Sequence, residues 1–207
     1  MKTLDSYITE KLKINNDTVS KSHIYNYHPK DKDELRSLIE KLLKERGKNA
    51  DLNDIDTSGI ISMEKLFEGL DLHNIDISDW DVSNVTNMRN MFLECKNFNS
   101  DLSAWDVSNV TDMSGMLFEC NNFNSDLSDW DVSSVTNMTL MFYECKKFNS
   151  DLSKWHISSV TNMMYMFTRC KNFKCNLSNW DVSNVEDMHG MFNNCTSLKN
   201  IPLWYHE

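Results

Sequence analysis

The sequence predicts an α/β solenoid, and its tryptophan, methionine and cysteine spacing is the reason. Each of these residue types recurs five times with a strict step of 25 residues. Such a period is typical of repeat proteins, in which every copy buries its apolar face against the next one. We therefore expect about six coils, the first a degenerate copy, with a core made of these columns: Trp80, Trp105, Trp130, Trp155, Trp180, Met88, Met113, Met138, Met163, Met188, Cys95, Cys120, Cys145, Cys170 and Cys195.

Two kinds of element are predicted within each coil. In "LSAWDV" the apolar residues Leu102, Trp105 and Val107 follow L-x-x-L-x-L and end in the alternation of a short strand. In "NMRNMFLEC" the apolar residues lie at i, i+3, i+4 and i+7, one face of a two-turn helix. The pattern predicts a right-handed leucine-rich-repeat horseshoe, with short parallel strands on one side and short helices on the other.

The first part of the chain differs from the repeats, and we divide the sequence into an N-terminal region, 1–51, and a repeat region, 52–207. The segment "DKDELRSLIEKLLKERG" predicts a helix over about 31–46, with an aspartate at its start and Gly47 as its stop. We expect this helix to cap the repeats. Residues 1–18 have two interpretations: a targeting tag, or an amphipathic helix that covers the open end of the repeats.

At the repeat residues the chain resembles the BspA-like leucine-rich-repeat proteins, including the 25-residue form of mycoplasma-type surface proteins. The line W-D-V-S-N-V-T-N-M-x-x-M-F-x-x-C-x-x-F-N-x-x-L-S, over about residues 77–198, carries the resemblance. It implies an adhesion or partner-binding module without catalytic residues. Such surface proteins usually carry an export signal or lipid anchor, and neither is recognised at the start of this sequence, so their location does not carry over with the fold.

The opening "MKTLDSYITEKLKIN" more loosely resembles a line that recurs at the start of unrelated proteins of gut bacteriophages. This resemblance implies an alternative function, a virion-associated or cargo protein with an N-terminal tag and a repeat domain as effector or spacer.

Charge and hydropathy exclude several classes of function. The net charge of −10 would repel a nucleic-acid backbone, so we expect no nucleic-acid partner. No stretch has the roughly 18 apolar residues of a membrane span, so we expect no membrane insertion. With no standard secretion signal, we expect either an intracellular, and therefore reducing, location or a virion-associated one.

The cysteine and aspartate columns each have competing interpretations. Helices about 10 Å apart would hold the cysteines too far apart for disulfides, which favours buried free thiols over bridges or metal. The aspartates favour Asx turns with nearby serines, with calcium as the minor alternative. Serines recur as columns, and no phosphate loop or catalytic motif appears, so we expect no enzyme and no cofactor.

Specificity is expected where the copies differ. Variable apolar residues on the predicted helix side could form one patch for a protein partner of unknown identity, for self-association or for a virion component. The alternatives are that the N-terminal segment covers them or that they turn inward. On the strand side the variable residues are polar. The partner-binding candidates are Leu93, Phe118, Leu140, Tyr143, Met164, Tyr165, Asp79, Asp129, Lys154 and His156.

Overall fold

The computed structural model describes residues 24–206, so the predicted tag over residues 1–18 lies outside the described residues. Within them the chain forms one α-helix, α1 (Lys32–Arg46), and no strand beyond isolated parallel bridges. One residue of each coil makes such a bridge with its equivalents in the neighbouring coils. This column of bridged residues is Ser62, Asn87, Asp112, Asn137, Asn162 and Asp187.

The predicted α/β horseshoe of strands and helices is therefore wrong. The coils stack in register, but each coil is built from successive turns. Where a strand was expected, the Trp105 N–H donates to the Leu102 carbonyl three residues back at 3.2 Å, which closes a turn. Where a helix was expected, the Met91 N–H bonds the Met88 carbonyl at 3.1 Å. We call the second segment of each coil the turn ladder; its copies are residues 63–70, 88–95, 113–120, 138–145, 163–170 and 188–195.

Two residues with positive φ keep each turn ladder from being a helix. In the copy 88–95 they are Asn90 (φ 54°) and Glu94 (φ 61°), each the third residue of a turn. Between the turns, N–H groups of alternate residues leave the coil, as Phe92 N–H does when it donates to the Met116 carbonyl of the next coil at 2.9 Å. In an α-helix that N–H group would donate to the carbonyl four residues earlier in the same segment. The inward side chains nevertheless keep the spacing that suggested a helix.

The distance between coils explains why the second segment of each coil is not a helix. The rings of Phe67 and Phe92, one coil apart, stack with centroids 5.0 Å from each other. A helix with its side chains is about 10 Å across and cannot repeat at that distance. A segment made of turns can repeat at about 5 Å, because its backbone forms hydrogen bonds with the next coil much as neighbouring parallel strands do.

Most of the predicted core columns are buried. The five tryptophans are 3 to 4% exposed. Each indole Nε1–H donates to a carbonyl 28 residues earlier, as Trp105 does to Ile77 at 3.0 Å. The methionine and cysteine columns are buried too, except for Met188, which is half-buried in the last coil.

The column cysteines are free thiols that bond to the backbone. Cys95 Sγ lies 3.1 Å from the Phe67 carbonyl oxygen, and Cys120 makes the same bond to Phe92. Burial raises the pKa of Cys95 to about 12. Disulfides were discounted on the assumption that stacked helices hold the cysteines about 10 Å apart, but the described residues contain one helix, α1. The column thiols are instead donors to carbonyls of the preceding coil.

Helix α1 lies against the first coil. The Asp31 side chain caps it by accepting from the N–H groups of Asp33 and Glu34, and Gly47 (φ 85°) ends it. Leu35, Ile39 and Leu42 are fully buried against the core of the repeats.

Candidate interaction surface

The turn ladders project one column of variable side chains outward, which we call the ring column: Leu93, Phe118 and Tyr143. All three are half-buried. Tyr143 is fixed from both sides of its backbone, since its N–H donates to the Leu140 carbonyl at 3.1 Å and its carbonyl accepts from Glu119 N–H at 2.7 Å. The column therefore stands on an ordered backbone.

The aromatic members of the ring column stack on each other. The rings of Phe118 and Tyr143 have centroids 4.7 Å apart and an angle of 4° between their planes. The guanidinium carbon of Arg169 lies 5.9 Å from the Tyr143 ring centroid, a cation–π distance. Together they form a flat aromatic strip that ends in a positive charge.

An ion pair holds Arg169 in this position. Its guanidinium contacts the Glu144 carboxylate, which also pairs with Lys146 at 3.4 Å. The hydrogen bond from Arg169 lowers the pKa of Glu144 below its ordinary value. The Arg169 side chain is half exposed, so one of its faces is open to a partner.

Sequence reasoning missed Arg169. The signal was present, because the equivalent residues of the three preceding coils are Glu94, Glu119 and Glu144, and only here does a basic residue replace the glutamate. The change from an acidic to a basic residue in this copy places a cation beside Tyr143.

The second complete copy of the repeat, in the third coil, exchanges two residues. The first complete copy reads Met91-Phe92-Leu93, whereas the second reads Met116-Leu117-Phe118. Phe92 and Leu117 are both fully buried, and the residue after each of them is half-buried and faces outward. The exchange therefore moves an aromatic ring from the core to the ring column.

The other predicted apolar residues lie in neighbouring columns. Leu140 and Tyr165 occupy a positive-φ column and are half-buried, as is Met164. Tyr165 packs over Gly190, where a Cβ would lie 2.3 Å from the ring, and its ring meets His189 edge-on at 5.4 Å. All three side chains are half-buried, so the predicted single patch is better described as the ring column with half-covered neighbours.

The polar candidates lie elsewhere on the coils. Asp79, Asp129, Lys154 and His156 are all exposed. His156 occupies the position of the aspartates that make Asx turns.

The aspartate columns build those Asx turns, as the side-chain pattern favoured. Asp81 Oδ1 accepts from the Ser83 N–H at 3.0 Å and from its hydroxyl at 2.6 Å. Asp131 accepts from the Ser133 N–H at 3.0 Å, and the serine hydrogen bonds lower its pKa. These carboxylates are used in the loops. In residues 24–206 no group of three or more His, Cys, Asp or Glu side chains is arranged to hold a metal ion.

The fold and its surface define a repeat protein made of stacked turns, with repeated inward columns and variable outward ones. Two segments of the chain, residues 36–138 and 120–206, match the family described as "Mycoplasma protein of unknown function, DUF285". The matches span most of the chain, and the chain belongs to this family.

Family membership confirms, at the level of the repeat family, the resemblance to the mycoplasma-type surface repeat. The resemblance of the opening residues to bacteriophage proteins is not shown by it. No curated protein and no solved structure matches the chain. Helix α1, the one helix among residues 24–206, is not long and apolar enough to cross a membrane.

Proposed function

We propose that this protein is a non-enzymatic scaffold that binds a protein partner through the ring column and Arg169. The observation that carries the proposal is the exchange of Leu117 and Phe118 relative to the preceding coil. It removes a ring from a stacked core column and places it at the surface, where it stacks on Tyr143. A repeat that served packing alone gains nothing by this exchange.

The chemistry of the strip suits protein recognition. Aromatic residues and arginine are enriched at the centres of protein interfaces, and they carry most of the binding energy there. Phe118, Tyr143 and Arg169 are already ordered by stacking and by the ion pair with Glu144. Little side-chain freedom would be lost on binding, which favours affinity.

The test uses the double variant Leu117→Phe, Phe118→Leu, which restores the order of the first copy without changing composition. Wild type and variant are used as baits in lysate of the native source, and the captured proteins are compared. We expect a partner that binds wild type and binds the variant at least about 30-fold more weakly, the effect of losing one hot-spot residue of about 2 kcal/mol.

A matched control carries two substitutions on another outward column. Ser134 and Ser159 are exposed and belong to a different column from the ring column, so Ser134→Asp with Ser159→Asp should leave capture unchanged. If the swap variant stays folded by circular dichroism and captures every protein that wild type captures, the ring column is not the binding surface.

A further inference from the structure

The net charge of the repeats changes along the stack. Residues 52–143 contain 3 basic and 16 acidic residues, a net charge of −13, whereas residues 144–200 contain 7 basic and 5 acidic residues, a net charge of +2. The repeats thus have a long acidic part and a short part in which cations are in excess. A negatively charged partner would be repelled by the first part and attracted to the second.

Two columns of exposed or half-buried residues bring cations of the second part together. One column follows the ring column by one residue and reads Glu94, Glu119, Glu144, Arg169 and Asn194. The other column lies two residues further along each copy and reads Lys96, Asn121, Lys146, Lys171 and Thr196. Both positions are basic only in the copy that contains Arg169 and Lys171.

These cations line an open groove of about 550 Å³, which we call the basic groove. Its lining residues are Glu144, Lys146, Arg169, Lys171, Asn194 and Thr196. Three cations and one carboxylate give the lining a formal charge of +2. The volume falls within the range of about 300 to 1,000 Å³ that is typical of small binding sites, so the basic groove has room for a short segment of a partner.

The cations of the basic groove already bind one carboxylate. Glu144 contacts the Arg169 guanidinium and pairs with Lys146 at 3.4 Å. A guanidinium has five N–H donors, and the hydrogen bond to Glu144 uses the nitrogen Nη1, so the other nitrogens can donate to a second carboxylate. Lys171 is exposed and adds a third cation. The basic groove can therefore bind more carboxylate than Glu144 supplies.

Hydrogen bonds between coils fix the backbone under these cations. The Lys146 carbonyl accepts from the Asn172 N–H at 3.2 Å, and the Lys171 carbonyl accepts from the Thr196 hydroxyl at 3.4 Å. The Arg169 N–H donates to the following coil at 2.7 Å. The spacing of the three cations is therefore set by the stack.

Arg169 joins the basic groove to the ring column. The same guanidinium that contacts Glu144 lies 5.9 Å from the centroid of the Tyr143 ring. The rings of Phe118 and Tyr143, one coil apart, are separated by 4.7 Å. An extended chain advances about 3.3 Å per residue, so a segment that runs along the stack would pass from Phe118 to the coil of Arg169 in about three residues.

We propose that the basic groove binds an acidic segment of the protein partner, whose carboxylates pair with Arg169, Lys146 and Lys171 while an aromatic or large aliphatic side chain about three residues away packs on the ring column. This inference rests on the proposed function and adds the chemistry of the partner. A polypeptide is favoured over nucleic acid, because a polyanion that crosses several coils would meet the negative charge of residues 52–143.

Selection from a displayed library of random peptides of about 12 residues tests which sequences the full chain binds. We expect the selected peptides to share aspartate or glutamate about three residues from an aromatic or large aliphatic residue. One selected peptide is then synthesised with a fluorescent label and titrated with wild type and variants. Replacing its acidic residues by glutamine should weaken binding to wild type at least about fivefold.

Lys171→Glu reverses one charge of the basic groove. The matched control is Lys154→Glu, which makes the same change at an exposed lysine of another column. We expect Lys171→Glu to weaken peptide binding at least about fivefold, because an attraction becomes a repulsion, and Lys154→Glu to change it less than about twofold. Lys171→Gln, which removes the charge without reversing it, should lie between the two. Circular dichroism verifies the fold of each variant, and Lys171→Gln decides the test if Lys171→Glu does not fold.

Four results would overturn the proposal: a library that yields no specific binder, selected peptides without acidic residues, equal binding by wild type and the Lys171 variants, or an equal loss with Lys154→Glu. A single-stranded oligonucleotide is titrated alongside. If it binds wild type more tightly than the peptide and loses affinity in the Lys171 variants, the basic groove is a nucleic-acid site and the proposal is wrong.

The exchange variant of Leu117 and Phe118 separates this inference from the proposed function. A partner that is lost in the exchange variant but kept by Lys171→Glu refutes the basic groove and leaves the ring column as the binding surface. Peptide binding that depends on Lys171 but not on the exchange refutes the ring column and keeps the basic groove.

Discussion

Replacing Trp105 by alanine tests how neighbouring coils hold each other. The side chain is 3% exposed, its ring stacks on Trp80 at 6.5 Å and on Phe92 at 6.4 Å, and its indole N–H donates to Ile77. Truncation removes all of these contacts and leaves a cavity. The coils on either side are closely spaced and joined to each other, so they cannot move independently to fill it. We expect a loss of about 3 to 5 kcal/mol in the free energy of unfolding.

Two further variants divide that loss. Trp105→Phe keeps a ring and loses the indole N–H; since the Ile77 carbonyl still accepts from the Trp80 N–H at 3.2 Å, we expect a loss of about 1 to 2 kcal/mol. Trp204→Ala removes a half-buried ring at the end of the stack, and the same range of about 1 to 2 kcal/mol is expected.

Urea unfolding followed by circular dichroism measures these changes, and hydrogen exchange shows which coils open, because unfolding of a stack need not be two-state. The stacking argument fails if Trp105→Ala lies within about 1 kcal/mol of wild type, or if Trp204→Ala costs as much as Trp105→Ala.

Three other predictions follow from local geometry. The Asx-turn carboxylates have lowered pKa values, because serine hydroxyl and N–H groups donate to the charged form; their contribution to stability should be full above about pH 4 and fall as the pH drops further, seen as a decreasing urea midpoint. Gly190→Ala, at φ 64° with the Tyr165 ring in the way, should destabilise by about 1 to 3 kcal/mol, whereas Gly59→Ala, with open space around it, should change unfolding by less than about 0.5 kcal/mol. In a thiol-reagent assay the five column cysteines should be inert until the protein unfolds, while half-buried Cys175, whose pKa burial raises to about 11, should react slowly and alone; reaction of more than one thiol in the folded protein contradicts this.

The sequence allowed the inward columns to be predicted but not the backbone that carries them. Met88, Met91 and Phe92 are buried as a helical face would require, and the same spacing is produced by consecutive turns. Hydrophobic periodicity alone cannot separate the two. A separate signal was available: one column contains Asn90, Gly115 and Gly190, residue types that favour positive φ.

The candidate surface was predicted only in part, because variation among the copies does not show how far each side chain is exposed. Variation among copies identified Phe118 and Tyr143, and the structure stacks them. It also suggested Leu140 and Tyr165 as equal members, although both are half-buried residues with positive φ and the Tyr165 ring lies over Gly190 of the next coil.

The exchange of Leu117 and Phe118 separates stability from recognition within a single coil. Phenylalanines one coil apart stack at 5.4 Å in the Phe142–Phe167 pair, and an aromatic contact of this kind is worth about 0.5 to 1.5 kcal/mol beyond its buried area. Leu117 gives up such contacts in the core, and the Phe118–Tyr143 stack recovers one at the surface, where solvent and a partner compete for it. Restoring Phe at 117 and Leu at 118 should therefore leave the protein as stable as wild type or more stable by up to about 1 kcal/mol. A variant that gains stability and loses its partner is the outcome expected of a binding surface; a variant that loses stability would show that Phe118 belongs to the packing of the stack.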